Sequence, residues 1–471
     1  PQLLGFETSF ASGRFMGIVA VSGTLGFLYF ALRALGSDFE ARLATLIPTL
    51  FYAFTRENNF THYSSEHIPI LLMAGGVCFG VRGLSGSTLR PWHLALAALF
   101  FGALPFAKLQ AGPVGFLGVL ALMIAAWIKA GGWRGARLAL VGCVLGGLAV
   151  PALILGMVAA AGALDDFRIS YLGLFDHHKR FMMAFDEMPH FFGKSPQMVA
   201  LLLGTLVVSV FSIYFLWRRQ GRGMFSCQKF LFWSAGFLLL CFAIVFKAGK
   251  SYPHYALFFV FPCALFCGVL LIEVNRELRK AQGFAHDAST ATNIAALFFF
   301  TLFGIPQIGS KLHSLEETVF VGMYGYYEGA VSNPLVKAIK QLVPRGERMA
   351  IWGWSPNFYL ETGLIPGTRD VIAQMSMFDY PHQAYYRARF LADMKESNPL
   401  VFADTDSPAF PPHEVQPSYG HERFPALAAH VAENYDLVQT VDITDQEGTL
   451  RLYIRKDALL KNRAEGAGDG G

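Results

Sequence analysis

Cations, rings and carboxylates at the mouths of apolar runs are the residues with chemistry to offer. In KAGKSYPHYALFFVFP (247–262), Lys247, Lys250, Tyr252, His254 and Tyr255 lead into a long apolar run. Charge beside hydrocarbon is costly, so such groups are kept for a purpose. An interfacial belt explains the tyrosines; it does not explain two lysines, which an anionic partner would. In LPFAKLQAGP (104–113), Lys108 ends one apolar run just before a tight turn. It either snorkels to the interface or offers a point charge to a phosphate. In RENNFTHYSSEHIP (56–69), Glu66 stands where a helix should begin, a place at which the helix dipole stabilises a carboxylate. Ordinary capping by Ser64 or Ser65 explains that position equally well. Arg56, Glu57, His62 and His67 nevertheless make the loop dense in ionisable groups.

These groups must be positioned by membrane helices. Apolar residues are 54% of the 471 and charged residues 15%, against about 25% charge in a soluble domain. A hydrocarbon core about 30 Å thick needs roughly 20 apolar residues per helix. That length selects ten candidate spans: 15–35, 41–55, 65–84, 92–109, 112–130, 136–162, 197–217, 229–248, 254–274 and 290–308. The second is short and carries Pro48. Loops after odd-numbered spans hold the arginines and lysines, among them Arg33, Arg82, Arg134, Arg218 and Arg276. The positive-inside rule puts those loops in the cytoplasm, and with them places Lys108, Glu66, Lys250 and everything after residue 309 outside. The expected fold is an all-α polytopic membrane domain of about ten transmembrane helices, followed by a small α/β extracytoplasmic domain. The expected divisions are a first-loop remnant at 1–14, the membrane domain at 15–308, the α/β domain at 309–457 and a disordered tail at 458–471. The chain begins at Pro1 without a signal peptide, and an outside start implies a preceding helix and loop.

Within the α/β region, NPLVKAIKQLV, YPHQAYYRARFLADMKESN and FPALAAHVAENY read as helices. RMAIWGW, PLVFADT, YDLVQTVDI and TLRLYIRK read as strands. The six cysteines lie in or beside apolar runs and suggest no disulfide framework. Cys263 and Cys267, one helical turn apart, read as small packed residues. Asp176, His177 and His178 lack the i, i+4 spacing of a zinc helix. No metal residues are assigned, and the sequence does not indicate whether a divalent metal is used. GxSxG, HExxH and Walker lysine motifs are absent, as is any basic patch interleaved with exposed aromatics that would suit nucleic acid.

Five segments carry a family resemblance: SGRFMGIVAVSGTLGFLYFALRALG, HYSSEHIPILLMAGG, ALFFGALPFAKLQAGPVGFL, KSYPHYALFFVFPCAL and MAIWGWSPNFYLETGLIPGTR. Through them the chain resembles the polytopic C-superfold glycosyltransferases, in particular the dolichyl-phosphate-mannose protein mannosyltransferase-like family that includes the lipid A aminoarabinose transferases. The third segment departs from the family's Lys-Gly-Pro hairpin by an inserted Gln-Ala. The resemblance implies an integral membrane enzyme that moves a sugar, with inversion, from a polyprenyl-phosphate donor to a lipid, glycan or protein acceptor on the outer face of the plasma membrane. It also implies a first-loop acid as base, expected upstream of Pro1. Carried onto this sequence, Glu66 is the acidic partner. Lys250, Lys108, His254, Tyr255 and Arg14 bind the donor phosphate. A lipid or sugar transporter or flippase is the alternative, but those place ionisable residues near the midplane, and here they sit at span mouths. A membrane-anchored sensor is less apt, since it would seldom need so many spans.

Overall fold

The computed structural model describes residues 9–55, 60, 63–173, 188–193, 195–220, 228–247, 252–280, 334–405, 420–443 and 448–458. The predicted tenth span at 290–308, Lys250, the loop residues Arg56, Glu57 and His62, and the Asp176–His178 cluster lie outside them. So do most of the 1–14 segment and the tail beyond Ala458. The chain divides into two compact units, one formed by Gly13–Glu316, the other by Pro1–Ser12 and Glu317–Gly471.

The first unit is a helical bundle. Its helices are α1 (Phe10–Arg33), α2 (Asp38–Phe54), α3 (His67–Leu84), α4 (Pro91–Ala107), α5 (Gly112–Lys129), α6 (Trp133–Ala160), α7 (Leu164–Ser170), α8 (Met188–Gly193), α9 (Pro196–Gln220), α10 (Gln228–Lys247) and α11 (Leu257–Lys280). Among the described residues, α1, α3, α5, α6, α9, α10 and α11 are long and apolar enough to cross a membrane. The predicted spans at 41–55 and 92–109 form α2 and α4, of 17 residues each. Helix α2 carries Pro48 and a buried Glu40.

Burial ranks these helices. The most apolar stretch of α11 is 94% buried, whereas that of α6 is 17% buried. A helix apolar on all sides must bury most of its surface or face lipid; α11 is the central post and α6 a peripheral one. Cys263 and Cys267 are fully buried in α11, with free thiols. Helices α4 and α6 approach closely because small residues meet. A β-carbon at Gly102 would overlap the Gly147 carbonyl oxygen, and one at Gly146 would overlap that of Ala95. Backbone-to-backbone approach through small residues is how helices associate without a hydrophobic driving force.

The second unit is a five-stranded sheet flanked by helices: α12 (Pro334–Leu342), β1 (Arg348–Gly353), α13 (Asn357–Thr362), β2 (Ile365–Pro366), α14 (Gln374–Met377), α15 (Gln383–Ser397), β3 (Val401–Thr405), α16 (Pro425–Asn434), β4 (Tyr435–Ile443) and β5 (Gly448–Arg455). The strand order is β2-β1-β3-β5-β4. Strands β2, β1 and β3 are parallel, while β5 runs antiparallel to both β3 and β4. Alternation sorts the strand residues. Met349, Ile351, Val401 and Ala403 pack on one face with Leu335 and Ile339 of α12; Ala350, Trp352 and Phe402 pack on the other with Phe390 of α15 and Leu427 of α16.

Candidate functional site

Three helix ends converge at one end of the bundle. Glu66 occupies the N-cap of α3, immediately before His67. Lys108 is the C-cap of α4, where φ −159° and ψ 122° turn the backbone out of the helix. A short 3-10 turn, Leu109–Ala111, then leads to Gly112 and Pro113, which start α5. Proline is tolerated there because the first-turn N–H groups have no intrahelical partner. A second 3-10 turn, Pro253–Ala256, precedes α11 and carries His254 and Tyr255.

The Glu66 side chain is fully buried and the Lys108 side chain is 17% exposed. Lys108 Nζ donates to Glu66 Oε1 and, at 2.9 Å, to Ser65 Oγ. Ser64 Oγ donates to Glu66 Oε2, and Ser65 Oγ lies 3.3 Å from the same oxygen. His254 Nε2 stands 3.9 Å from Glu66 Oε1. A buried carboxylate is tolerable only when paired and hydrogen-bonded, and Glu66 is both. The ammonium also sits 4.7 Å from the centroid of the Tyr255 ring, close enough for a cation–π attraction. Tyr252 stacks on His254 at 5.5 Å, and His254 meets Tyr255 edge-on at 4.8 Å. The expected capping by Ser64 or Ser65 is not what forms: Glu66 itself is the N-cap, without a side-chain capping bond, while Ser64 N donates to His67 Nδ1 at 3.0 Å and the Ser64 hydroxyl donates to Glu66.

Two outside bonds fix the Lys108 turn. Gln110 Nε2 donates to the Ile244 carbonyl of α10 at 2.6 Å. Tyr171, just beyond α7, donates its hydroxyl to the Pro105 carbonyl and stacks on Phe106 at 6.4 Å. Burial pushes the Tyr171 phenol up, so it remains a donor at neutral pH. In the sequence Gln110 stands out only as part of an insertion, and nothing singles out Tyr171. A lone amide in an otherwise apolar turn was the available signal for the first.

Thus Glu66, Lys108, His254 and Tyr255, separated by up to 189 positions in the chain, are gathered into one cluster. Arg14 lies near the start of α1. Gly17, three residues on, packs against Tyr63, with a built β-carbon 3.6 Å from the Tyr63 Cα, so that part of α1 lies beside the segment leading to Glu66.

No protein-family model matches this sequence, and no curated protein sequence matches it.

Farther along the bundle lies an apolar cavity of about 560 Å³ between α3, α5, α10 and α11, and no residue of the cluster lines it. It reaches from Val114, in the first turn of α5, to Leu35 and Leu84 at the opposite ends of α1 and α3. That opposite end is the basic one: Arg33 and Arg82 lie in the last turns of α1 and α3, and Lys129 in that of α5. Lys129 Nζ donates to the carbonyls of Leu84 and Gly86. A charged cluster at one end of a bundle that also holds an apolar cavity suits an amphiphile with an anionic head and a hydrocarbon tail.

Proposed function

We propose that this chain is an integral membrane glycosyltransferase that takes a sugar from a polyprenyl-phosphate donor and passes it, with inversion, to an acceptor outside the cytoplasm. The observation that carries the reading is the seat of Lys108: a cation held by a buried carboxylate at one end of a bundle that also contains an apolar cavity. In this reading the polyprenyl tail lies in the cavity and the phosphate meets Lys108, with His254 and Tyr255 as further donors. Lys250, two residues before Tyr252, and Arg14 are assigned to the same phosphate. Neutralising the leaving phosphate is the electrostatic contribution that dominates such transfers.

Glu66 is assigned the acidic partner's part. Buried and engaged by Lys108 and Ser64, it orients the ammonium and the His254 ring toward the head group. Deprotonating the acceptor hydroxyl is left to the first-loop acid expected from the family resemblance. The basic ends of α1, α3 and α5 are assigned to the cytoplasm, with ten spans in all and the α/β unit on the outer side. The charge distribution favours this over a transporter, because the middles of the seven long apolar helices carry no Asp, Glu, Lys or Arg.

The test is binding and transfer with the chain purified in nanodiscs. Native mass spectrometry should show one bound undecaprenyl phosphate, lost in Lys108→Ala, and radiolabelled sugar should leave a polyprenyl-phosphate donor only when the cluster is intact. Equal lipid occupancy in wild type and Lys108→Ala would remove the assignment.

A further inference from the structure

The second unit contains a polar cluster that the transferase reading does not use. From β1 the chain crosses to β2 on one side and then returns to β3 on the other. The carboxyl ends of β1 and β3 are therefore where strand order reverses, the place at which open parallel sheets bind ligands. Asp404, fully buried, stands at that end of β3, in register with Arg451 on β5. Its Oδ2 accepts from Arg451 Nη2 at 2.6 Å, from His421 Nδ1 at 2.6 Å and from the His421 backbone N–H at 3.0 Å. Glu422 accepts from the same guanidinium, with Nη2 to Oε2 at 2.9 Å, and its Oε2 lies 3.6 Å from His421 Nδ1. The His421 ring is held edge-on by Phe402 and Tyr453, each 5.3 Å away.

One ligand atom each from Asp404, His421 and Glu422 falls within 4.8 Å of the others. We propose that these three residues form a site for a divalent transition-metal ion of the zinc or manganese class, and that Arg451 is the built-in cation the metal displaces. Three features support it. The guanidinium already bridges the two carboxylates, so the site is built to hold positive charge between them. Arg451 fits that place imperfectly: its Nε is buried without a hydrogen-bond partner among the described residues, while 21% of the side chain is exposed and offers a way out. The donor set is mixed. One imidazole with two carboxylates suits zinc or manganese, whereas calcium prefers six to eight oxygens.

Binding requires His421 to present the Nδ1 lone pair, which moves its proton to Nε2. Two carboxylates then neutralise the dication, and the released Arg451 reaches water.

The test uses the full purified chain in detergent, stripped with EDTA and titrated with Zn²⁺ or, separately, Ca²⁺ by equilibrium dialysis. Wild type should retain one more Zn²⁺ than His421→Ala and no extra Ca²⁺. Asp404→Asn should weaken that site by at least about tenfold. Arg451→Gln should tighten it, a gain that misfolding cannot produce. Equal Zn²⁺ retention by wild type and His421→Ala, or weaker retention by Arg451→Gln, would overturn the proposal. None of these outcomes bears on the lipid-phosphate reading, which concerns the other unit.

Discussion

Lys108 at the end of α4 donates to Glu66 at the start of α3, closing a salt bridge over 42 residues in a place where neither charge is well hydrated. Removing one partner of such a pair strands the other. Glu66→Leu and Lys108→Met should each destabilise the bundle by about 3 kcal/mol. The double variant should recover most of that loss, because no unpaired charge remains. Thermal unfolding of all four proteins in one detergent measures the coupling. Additive losses would mean that the pair does not stabilise the fold as a pair.

Close approach of α4 and α6 makes a second, separate prediction. Gly102 faces the Gly147 carbonyl with no room for a methyl group, so Gly102→Ala must push the helices apart. The expected cost is about 1–3 kcal/mol, the usual penalty of overpacking a tight interface. Gly156, in the same helix as Gly147, has open space around it. Gly156→Ala should be neutral or slightly stabilising in the same unfolding assay.

The cluster around Glu66 was legible in part because charge is conspicuous in an apolar sequence. Glu66, Lys108, His254 and Tyr255 each stand beside a long hydrophobic run, and helix ends that alternate in direction bring every second loop together. Gln110 and Tyr171 were not legible as anchors, since their partners are backbone carbonyls of Ile244 and Pro105, and a carbonyl has no sequence signature. In the second unit, β1, β3, β4, β5 and the three longer helices follow from strand and helix periodicity. The two-residue β2 and the four-residue α14 are too short to show any. His421 and Arg451 lie 17 and 47 residues after Asp404 along the chain; the β3–β5 register brings Arg451 to it, and the turn before α16 brings His421.

His430 of α16 gives the second unit an acid sensitivity. Burial and the nearby Lys395 charge lower its pKa, outweighing the opposing pull of Glu433. The geometry agrees: Asn434 Nδ2 donates to His430 Nδ1 at 3.2 Å, a bond that protonating Nδ1 would break. A depressed folded-state value means that the neutral ring's stability is fully present above the unfolded value of about 6.5. It is lost as pH falls through the folded-state value. Hydrogen exchange in α16 and β4 should therefore speed up between pH 7 and pH 5, relative to intrinsic rates. His430→Gln should flatten that dependence; an unchanged slope would mean that another group carries it.

Tyr171 and Gln110 allow the turn to be loosened without touching its charge. Tyr171→Phe removes only the hydroxyl that holds the Pro105 carbonyl and leaves the stacking on Phe106 in place. Gln110→Leu likewise removes only the bond to Ile244. Each lost bond is worth about 1 kcal/mol of stability, too little to unfold the bundle. If Lys108 must be held at a fixed point for a phosphate, both variants should still bind undecaprenyl phosphate but more weakly, by about fivefold each for a loss near 1 kcal/mol. Their combination should approach the loss seen in Lys108→Ala, because the turn is then tethered only by the Glu66 pair. Wild-type lipid affinity in the double variant would show that the Glu66 pair alone positions the ammonium, and would leave the two anchors a purely structural part.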